Sequence, residues 1–124
     1  MRQLIGIIII LTTSCTEIFK TDLPHIEDCT DDSEFCNYTD SIQPIFNAYC
    51  TACHNNSTEP NLSSFENLMI SDEENVNLVI PFNYFNSILW QQINLGKMPK
   101  NGLKLESHLI LMIEKWIDEG ANGM

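Results

Sequence analysis

The chain predicts an all-α fold of about four helices. Apolar residues recur at spacings of three and four in four separate stretches of residues 38–124: Ile42, Ile45, Phe46 and Tyr49; Phe65, Leu68 and Met69; Phe85, Ile88, Leu89 and Ile93; Leu109, Ile110, Ile113, Trp116 and Ile117. The apolar segment outside this pattern, Val76 to Pro81, is short and bounded by proline, and reads as extended chain rather than a sheet strand. A third observation says what the helices surround. In Cys50-Thr51-Ala52-Cys53-His54, two cysteines separated by two residues are followed at once by a histidine. This is the c-type haem attachment signature, in which each thiol adds across a haem vinyl group and the imidazole becomes an axial iron ligand. The spacing is mechanical: two thioethers fix the porphyrin rim, and the next residue sits where a ring nitrogen reaches the iron from the same side.

Two other readings of a CxxC pair compete, and the adjacent histidine separates haem attachment from both. Zinc needs two further ligands, and Cys29 with Cys36 are the thiol candidates besides Cys15; the gap between them exceeds the usual two-to-four spacing of a zinc knuckle. A dithiol oxidoreductase places its CxxC at the end of a strand in a βαβ pattern, and none precedes Cys50.

The 124 residues make one domain with an extended or targeting end. Met1-Arg2-Gln3 and the apolar run Leu4 to Leu11 predict a signal peptide over residues 1–14, because the run is too short to span a bilayer but fits a leader's apolar core. Thr12-Thr13-Ser14-Cys15 resembles a bacterial lipoprotein box, which implies acylation of Cys15; the alternative is plain secretion with Cys15 left as a free thiol. Residues 15–37 are polar and acidic, carry Pro24, and predict a tether between membrane and domain. The five cysteines then divide without remainder: Cys15 to lipid, Cys50 and Cys53 to haem, Cys29 and Cys36 to a disulfide. Export permits that bond, and closing so short a loop stabilises by about 2.5 kcal/mol in the chain-entropy model. Two reduced thiols remain the other possibility, since no sequence rule fixes connectivity.

Residues 38–124 form the folded domain. Asp40 or Ser41 caps the first helix, Pro44 lies in its first turn where a missing N–H costs little, and its apolar face runs into Cys50. Asn55 to Pro60 is a loop by composition. Ser63-Ser64-Phe65-Glu66 reads as a capping box opening a short helix to about Met69, followed by a polar break over Ser71 to Asn75. Val76 to Pro81 lies over the haem edge. Asn83 or Asn86 starts the third helix, with Tyr84 and Trp90 on its haem side.

Gly96-Lys97-Met98-Pro99 follows that helix, and the sulfur of Met98 is the expected second axial ligand. Met98 lies 44 residues after His54, enough chain to pass around a haem edge and return on its far face. Met69 and Met112 sit in helical patterns and read as core filling. His25 lies in the tether and reads as solvated; His108, near the start of the last helix, is a fallback ligand. Leu105 to Glu119 forms that last helix, Gly120 stops it, and it packs across the first.

The set Ser41-Ile42-x-Pro44-Ile45-Phe46, Cys50-x-x-Cys53-His54, Ser87-x-Leu89, Lys97-Met98-Pro99 and Trp116-Ile117-Asp118-Glu119-Gly120-Ala121 resembles the small mono-haem class I c-type cytochrome domains found in envelope proteins of Bacteroidetes and Planctomycetes. The similarity runs from Tyr38 to Asn122, with Trp90 where the family often has Tyr. It implies the cytochrome c fold, one haem c held by Cys50 and Cys53, and axial ligation by His54 and Met98. A domain this small usually needs a staple, and a covalently held apolar haem serves as core and staple together.

These readings converge on electron transport: an envelope lipoprotein, periplasm-facing and membrane-anchored through Cys15, that carries single electrons and is not an enzyme. With both axial positions filled no site remains for substrate, and a thioether ligand raises the potential, which puts the carrier late in a respiratory chain near a terminal oxidase or another cytochrome. It works as a free carrier or as a subunit of a larger complex. The net charge of −11 argues against nucleic acid and against electrostatic binding to anionic lipid, and it would steer an acidic carrier toward a basic patch on its redox partner. The competing class is a haem-based sensor or gas-binding module with a labile sixth ligand; a structural lipoprotein without haem is a third. Trp90, Tyr84 and Lys97 are candidates for holding the haem propionates.

Overall fold

The helical part of the chain starts at Asn37, whose side-chain oxygen accepts from the backbone N–H groups of Thr39 (2.9 Å) and Asp40 (3.2 Å). A π-helical turn, Tyr38–Ile42, follows and leads directly into α1, Gln43–Tyr49. The cap therefore falls ahead of the predicted Asp40 or Ser41, because both Ser41 N–H and Ile42 N–H bond back to the Asn37 carbonyl and wind an extra, wider turn onto the helix. The computed structural model describes residues 25–31, 34–74, 77–100, 102 and 104–124, without the side chains of 71–74. The predicted leader and Cys15 lie outside the described residues.

Helix α2 spans Phe65–Glu74 and is capped by Ser64, whose hydroxyl accepts from Asn67 N–H at 3.2 Å. The helix outruns its predicted end near Met69, since polar composition alone does not stop a helix once it is nucleated. A 3₁₀ turn, Tyr84–Asn86, is capped by Asn83 and precedes α3, Ile88–Asn94. The last element, α4, spans Ser107–Asp118. The described residues are helical and contain no strand, an all-α arrangement.

One buried cluster joins these helices. Along α4, Met112, Ile113, Trp116 and Ile117 are at most 1% exposed, and they share that core with Ile42, Ile45 and Phe46, with Leu68 of α2, and with Leu89 and Ile93 of α3. Tyr38 stands where three elements meet, with ring centroids 5.0 Å from Phe65, 5.4 Å from Trp116 and 6.3 Å from Phe46. Segment Leu78–Ile80 is bent rather than extended, following a turn at Asn77 with φ 71°, and is held against the start of α3. Leu89 N–H donates to the Leu78 carbonyl, Ile80 N–H donates to the Ser87 hydroxyl, and that fully buried hydroxyl donates to the Asn83 carbonyl. At the far end of α4, Trp116 Nε1 donates to the Asn122 carbonyl, and Gly120 sits at φ +104° beneath the Phe82 ring, where a Cβ would come within 2.7 Å of that ring.

Residues 25–37 are not a free spacer. Cys29 and Cys36 form a disulfide (S–S 2.01 Å), both are buried, and Ile26 packs against the core. The ammonium of Lys115 on α4 reaches into the loop and donates to the carbonyls of Cys29 (2.9 Å), Asp31 and Glu34, while Glu119 accepts from Cys36 N–H at 2.9 Å. Composition alone reads this stretch as a tether. The loop is instead part of the domain, because its backbone oxygens converge on one cation.

Two stability measurements check this packing. Ile113→Ala should cost about 2–5 kcal/mol in denaturant unfolding, whereas Leu111→Ala, one turn face away and 52% exposed, should cost under about 0.5 kcal/mol. Lys115→Met leaves the loop carbonyls without their cation and should cost about 1–3 kcal/mol while raising amide exchange across residues 29–36.

Candidate functional site

The Cys50-Thr51-Ala52-Cys53-His54 stretch emerges from the end of α1 as a tight, self-bonded turn. Cys50 and Thr51 N–H groups both donate to the Phe46 carbonyl, and Cys53 and His54 N–H groups both donate to the Cys50 carbonyl. The following loop then doubles back: Leu62 N–H donates to the His54 carbonyl at 3.1 Å, and Gln43 Nε2 secures the Leu62 carbonyl at 3.1 Å. This return brings the Pro60 carbonyl to 3.1 Å from His54 Nδ1. A carbonyl oxygen can only accept, so Nδ1 carries the proton and Nε2 presents its lone pair. A ring so fixed in tautomer and orientation is how a metal-ligating histidine is held.

Opposite, α3 ends at Leu95, and Gly96 turns the chain back at φ +65°. Lys97 and Met98 N–H groups then both donate to the Gln92 carbonyl at 3.0 Å, which returns the strap toward the site. Met98 thereby joins His54 in the lining of a cleft of about 440 Å³. Tyr49, Pro60, Ile93, Pro99 and Leu105 supply apolar lining, and Cys50 and Cys53 line it as free thiols. A second cavity of about 150 Å³ adjoins it behind Leu62, Leu78 and Leu89, and Cys50, His54 and Met98 line both.

Four of the sequence-predicted residues, Cys50, Cys53, His54 and Met98, are therefore brought to one place. The others are not. Met112 is fully buried in the core, Met69 lines neither cavity, His25 is exposed, and His108 is exposed beside Glu106 at 3.4 Å. Tyr84 and Trp90 also stay off the cleft: Trp90 Nε1 donates to Glu114 of α4 at 3.1 Å, and the Tyr84 ring packs edge-on against it at 4.8 Å. The cavity-facing side of α3 is made by Ile88, Leu89, Gln92 and Ile93 instead. Lys97 is exposed and off the wall, whereas Lys100, which sequence reasoning passed over, lines the cleft together with Thr58 and Glu59. The position of Lys100 three residues after Lys97 beyond a proline was the available signal.

The residues present fit a covalently attached tetrapyrrole. Both thiols are unpaired and face one mostly apolar cleft, and an oriented imidazole and a thioether stand on its walls. Zinc is less well served: Cys29 and Cys36 are bonded to each other, and no cluster of three or more His, Cys, Asp or Glu that could hold a metal ion occurs among the described residues. Dithiol exchange is disfavoured because burial pushes the Cys50 thiol up to about 12, which leaves it protonated and weakly nucleophilic at neutral pH. Among the described residues no helix is long and apolar enough to cross a membrane. Comparison with protein-family models, curated proteins and solved structures gives no match for this chain.

The strap offers a direct check. Gly96→Ala puts a side chain at φ +65° and its Cβ within 2.9 Å of the Lys104 side chain; it should cost about 1–2 kcal/mol in denaturant unfolding.

Proposed function

We propose that the chain is a mono-haem c-type cytochrome that carries single electrons between redox proteins of the bacterial envelope, with the helices adopting the cytochrome c fold. The observation that carries this reading is the His54 Nδ1 to Pro60 carbonyl hydrogen bond, which leaves Nε2 without a proton on a residue that lines one cleft with two free thiols and Met98. Haem c, when bound, supplies a one-electron iron couple. Cys50 and Cys53 would hold it covalently, and His54 and Met98 would ligate its iron.

The chain's own residues account for the rest of the behaviour. The Pro60 carbonyl keeps the imidazole from rotating. The Met98 thioether favours the reduced metal relative to a second imidazole and so raises the potential. Pro60, Ile93, Pro99 and Leu105 exclude water from the cleft, which keeps reorganisation on charge transfer small. With both His54 and Met98 as ligands no position would be open to substrate, and the group would supply outer-sphere electron transfer. Acylation of Cys15 would hold the domain close to membrane partners at high effective concentration.

The test is an optical spectrum of protein produced with a c-type maturation system. The expected result is haem retained after denaturation and a weak sulfur-to-ferric-iron band that Met98→Ala abolishes. Rapid carbon monoxide binding by the reduced wild-type protein would favour a gas-binding sensor instead. Absence of covalent haem under adequate maturation would overturn the cytochrome reading.

A further inference from the structure

The outer side of α4 combines uncompensated charge with exposed apolar surface. Leu111, Glu114 and Asp118 recur there at spacings of three and four residues; Leu111 and Asp118 are exposed and Glu114 is half-buried. All three line a groove of about 310 Å³. Lys115 lines it too, but its ammonium is already turned to the carbonyls of Cys29, Asp31 and Glu34. Among the described residues neither Glu114 nor Asp118 has an ion-pair partner. Aromatic side chains flank the strip. Glu114 accepts from Trp90 Nε1, and the rings of Tyr84 and Phe85 stand 4.8 Å and 6.2 Å from the Trp90 ring. Phe82 N–H donates to the carbonyl of Ile117, the residue before Asp118. Residues 76–96, which supply all four aromatics, contain no charged residue. These rings are presented to solvent as well as packed: Phe85 is 67% exposed and Phe82 73%. Phe82 also stands at φ +65°, a left-handed backbone that is disfavoured for a bulky residue. Strain of this kind persists where the surroundings impose it, and here it holds a ring largely in solvent, where burial returns little.

We infer that this strip of α4 and the rings beside it form a docking face for an arginine-bearing segment of a partner protein that holds the domain in a larger assembly. Exposed apolar side chains rimmed by polar groups mark interaction surfaces. The sign of the charge selects the occupant: two carboxylates without a cation disfavour a bilayer and a second copy of a chain at −11, and they favour a basic segment. A planar guanidinium suits both parts of the face, since it forks onto carboxylates and stacks on aromatic rings. None of Phe82, Tyr84, Phe85, Trp90, Glu114 and Asp118 lines the cleft or the cavity behind it, so a partner seated here leaves the cleft lining untouched. The contact is one of assembly rather than of electron exchange.

The test titrates the full chain, produced with the c-type maturation system, against a short fluorescent peptide that alternates arginine with leucine and has blocked ends. Saturable binding at physiological ionic strength is the expected result. The double variant Glu114→Gln with Asp118→Asn, whose glutamine still offers Trp90 Nε1 an acceptor, should weaken it about tenfold, and Phe85→Ala about threefold. The control Asp40→Asn with Glu66→Gln removes the same two charges from exposed positions elsewhere and should change affinity less than about twofold. Should the first double variant fail to accumulate, Asp118→Asn alone, at an exposed position, should weaken binding about threefold. Equal weakening by both double variants would show attraction by net charge only and overturn the docking face, as would no saturable binding or full affinity in Phe85→Ala. A dimer of the chain alone that Phe85→Arg dissociates would assign the face to a second copy and overturn it likewise. Chain without covalent haem that binds the peptide in the expected pattern would overturn the cytochrome reading and leave the docking face standing.

Discussion

The site depends on one closed loop. His54 is bonded at both ends of its own residue, its carbonyl to Leu62 N–H and its Nδ1 to the Pro60 carbonyl, so the turn that carries both cysteines and the return that covers the ring form a single unit. Removing either bond would free the imidazole to rotate, and the lone pair of Nε2 would no longer have a fixed direction. Gln43 makes the loop part of the domain: from the first turn of α1 its amide reaches the Leu62 carbonyl and also Asn47. A helix whose leading π-helical turn, Tyr38–Ile42, packs against α4 thereby helps hold the imidazole in place. The chain spends about two turns of helix and one loop to hold one nitrogen, which is the kind of support a functional side chain needs to stay within a few tenths of an ångström.

The opposite wall is built by different means. Among the described residues no side-chain hydrogen bond fixes the Met98 strap; its register comes from two N–H groups sharing the Gln92 carbonyl after a left-handed turn at Gly96. One wall is thus specified by side-chain chemistry and the other by backbone geometry. The strap is the more deformable of the two, because a single shared acceptor resists translation less well than a loop closed at both ends. The same short strap carries Lys97 and Lys100.

Much of this was legible in the sequence because it is local. The apolar positions of α1, α3 and α4 follow helical spacing, and the residues that line the cleft, Cys50, Cys53, His54 and Met98, stand out by type and neighbours. What was not legible depends on partners far along the chain. The docking of residues 29–36 requires Lys115, separated from them by 81 to 86 residues, and nothing in an acidic stretch says that its backbone oxygens will converge on a cation. Trp90 looked available to the site from its place in α3, yet the contact with Glu114 that turns it away belongs to α4. Ser87 stood in a recognisable pattern without a reason; the reason is that its buried hydroxyl ties Ile80 and Asn83 together at the start of α3. The helix start at Asn37 was missed because a π-helical turn adds residues that an α-helical register does not count.

The disulfide loop also decides how the domain bears tension. A pull on the chain ahead of residue 25 reaches first the Cys29–Cys36 ring, whose covalent bond passes the load without unravelling, and then Lys115 and Glu119 on α4. Tyr38 N–H, bonded to the carbonyl of Met124, couples the same region to the other end of the chain. Force entering at the N-terminal side is therefore carried by α4 and the two ends of the domain, while the loop around His54 and the Met98 strap lie off the load path. A domain wired in this way can be held on a leash without its cleft being strained.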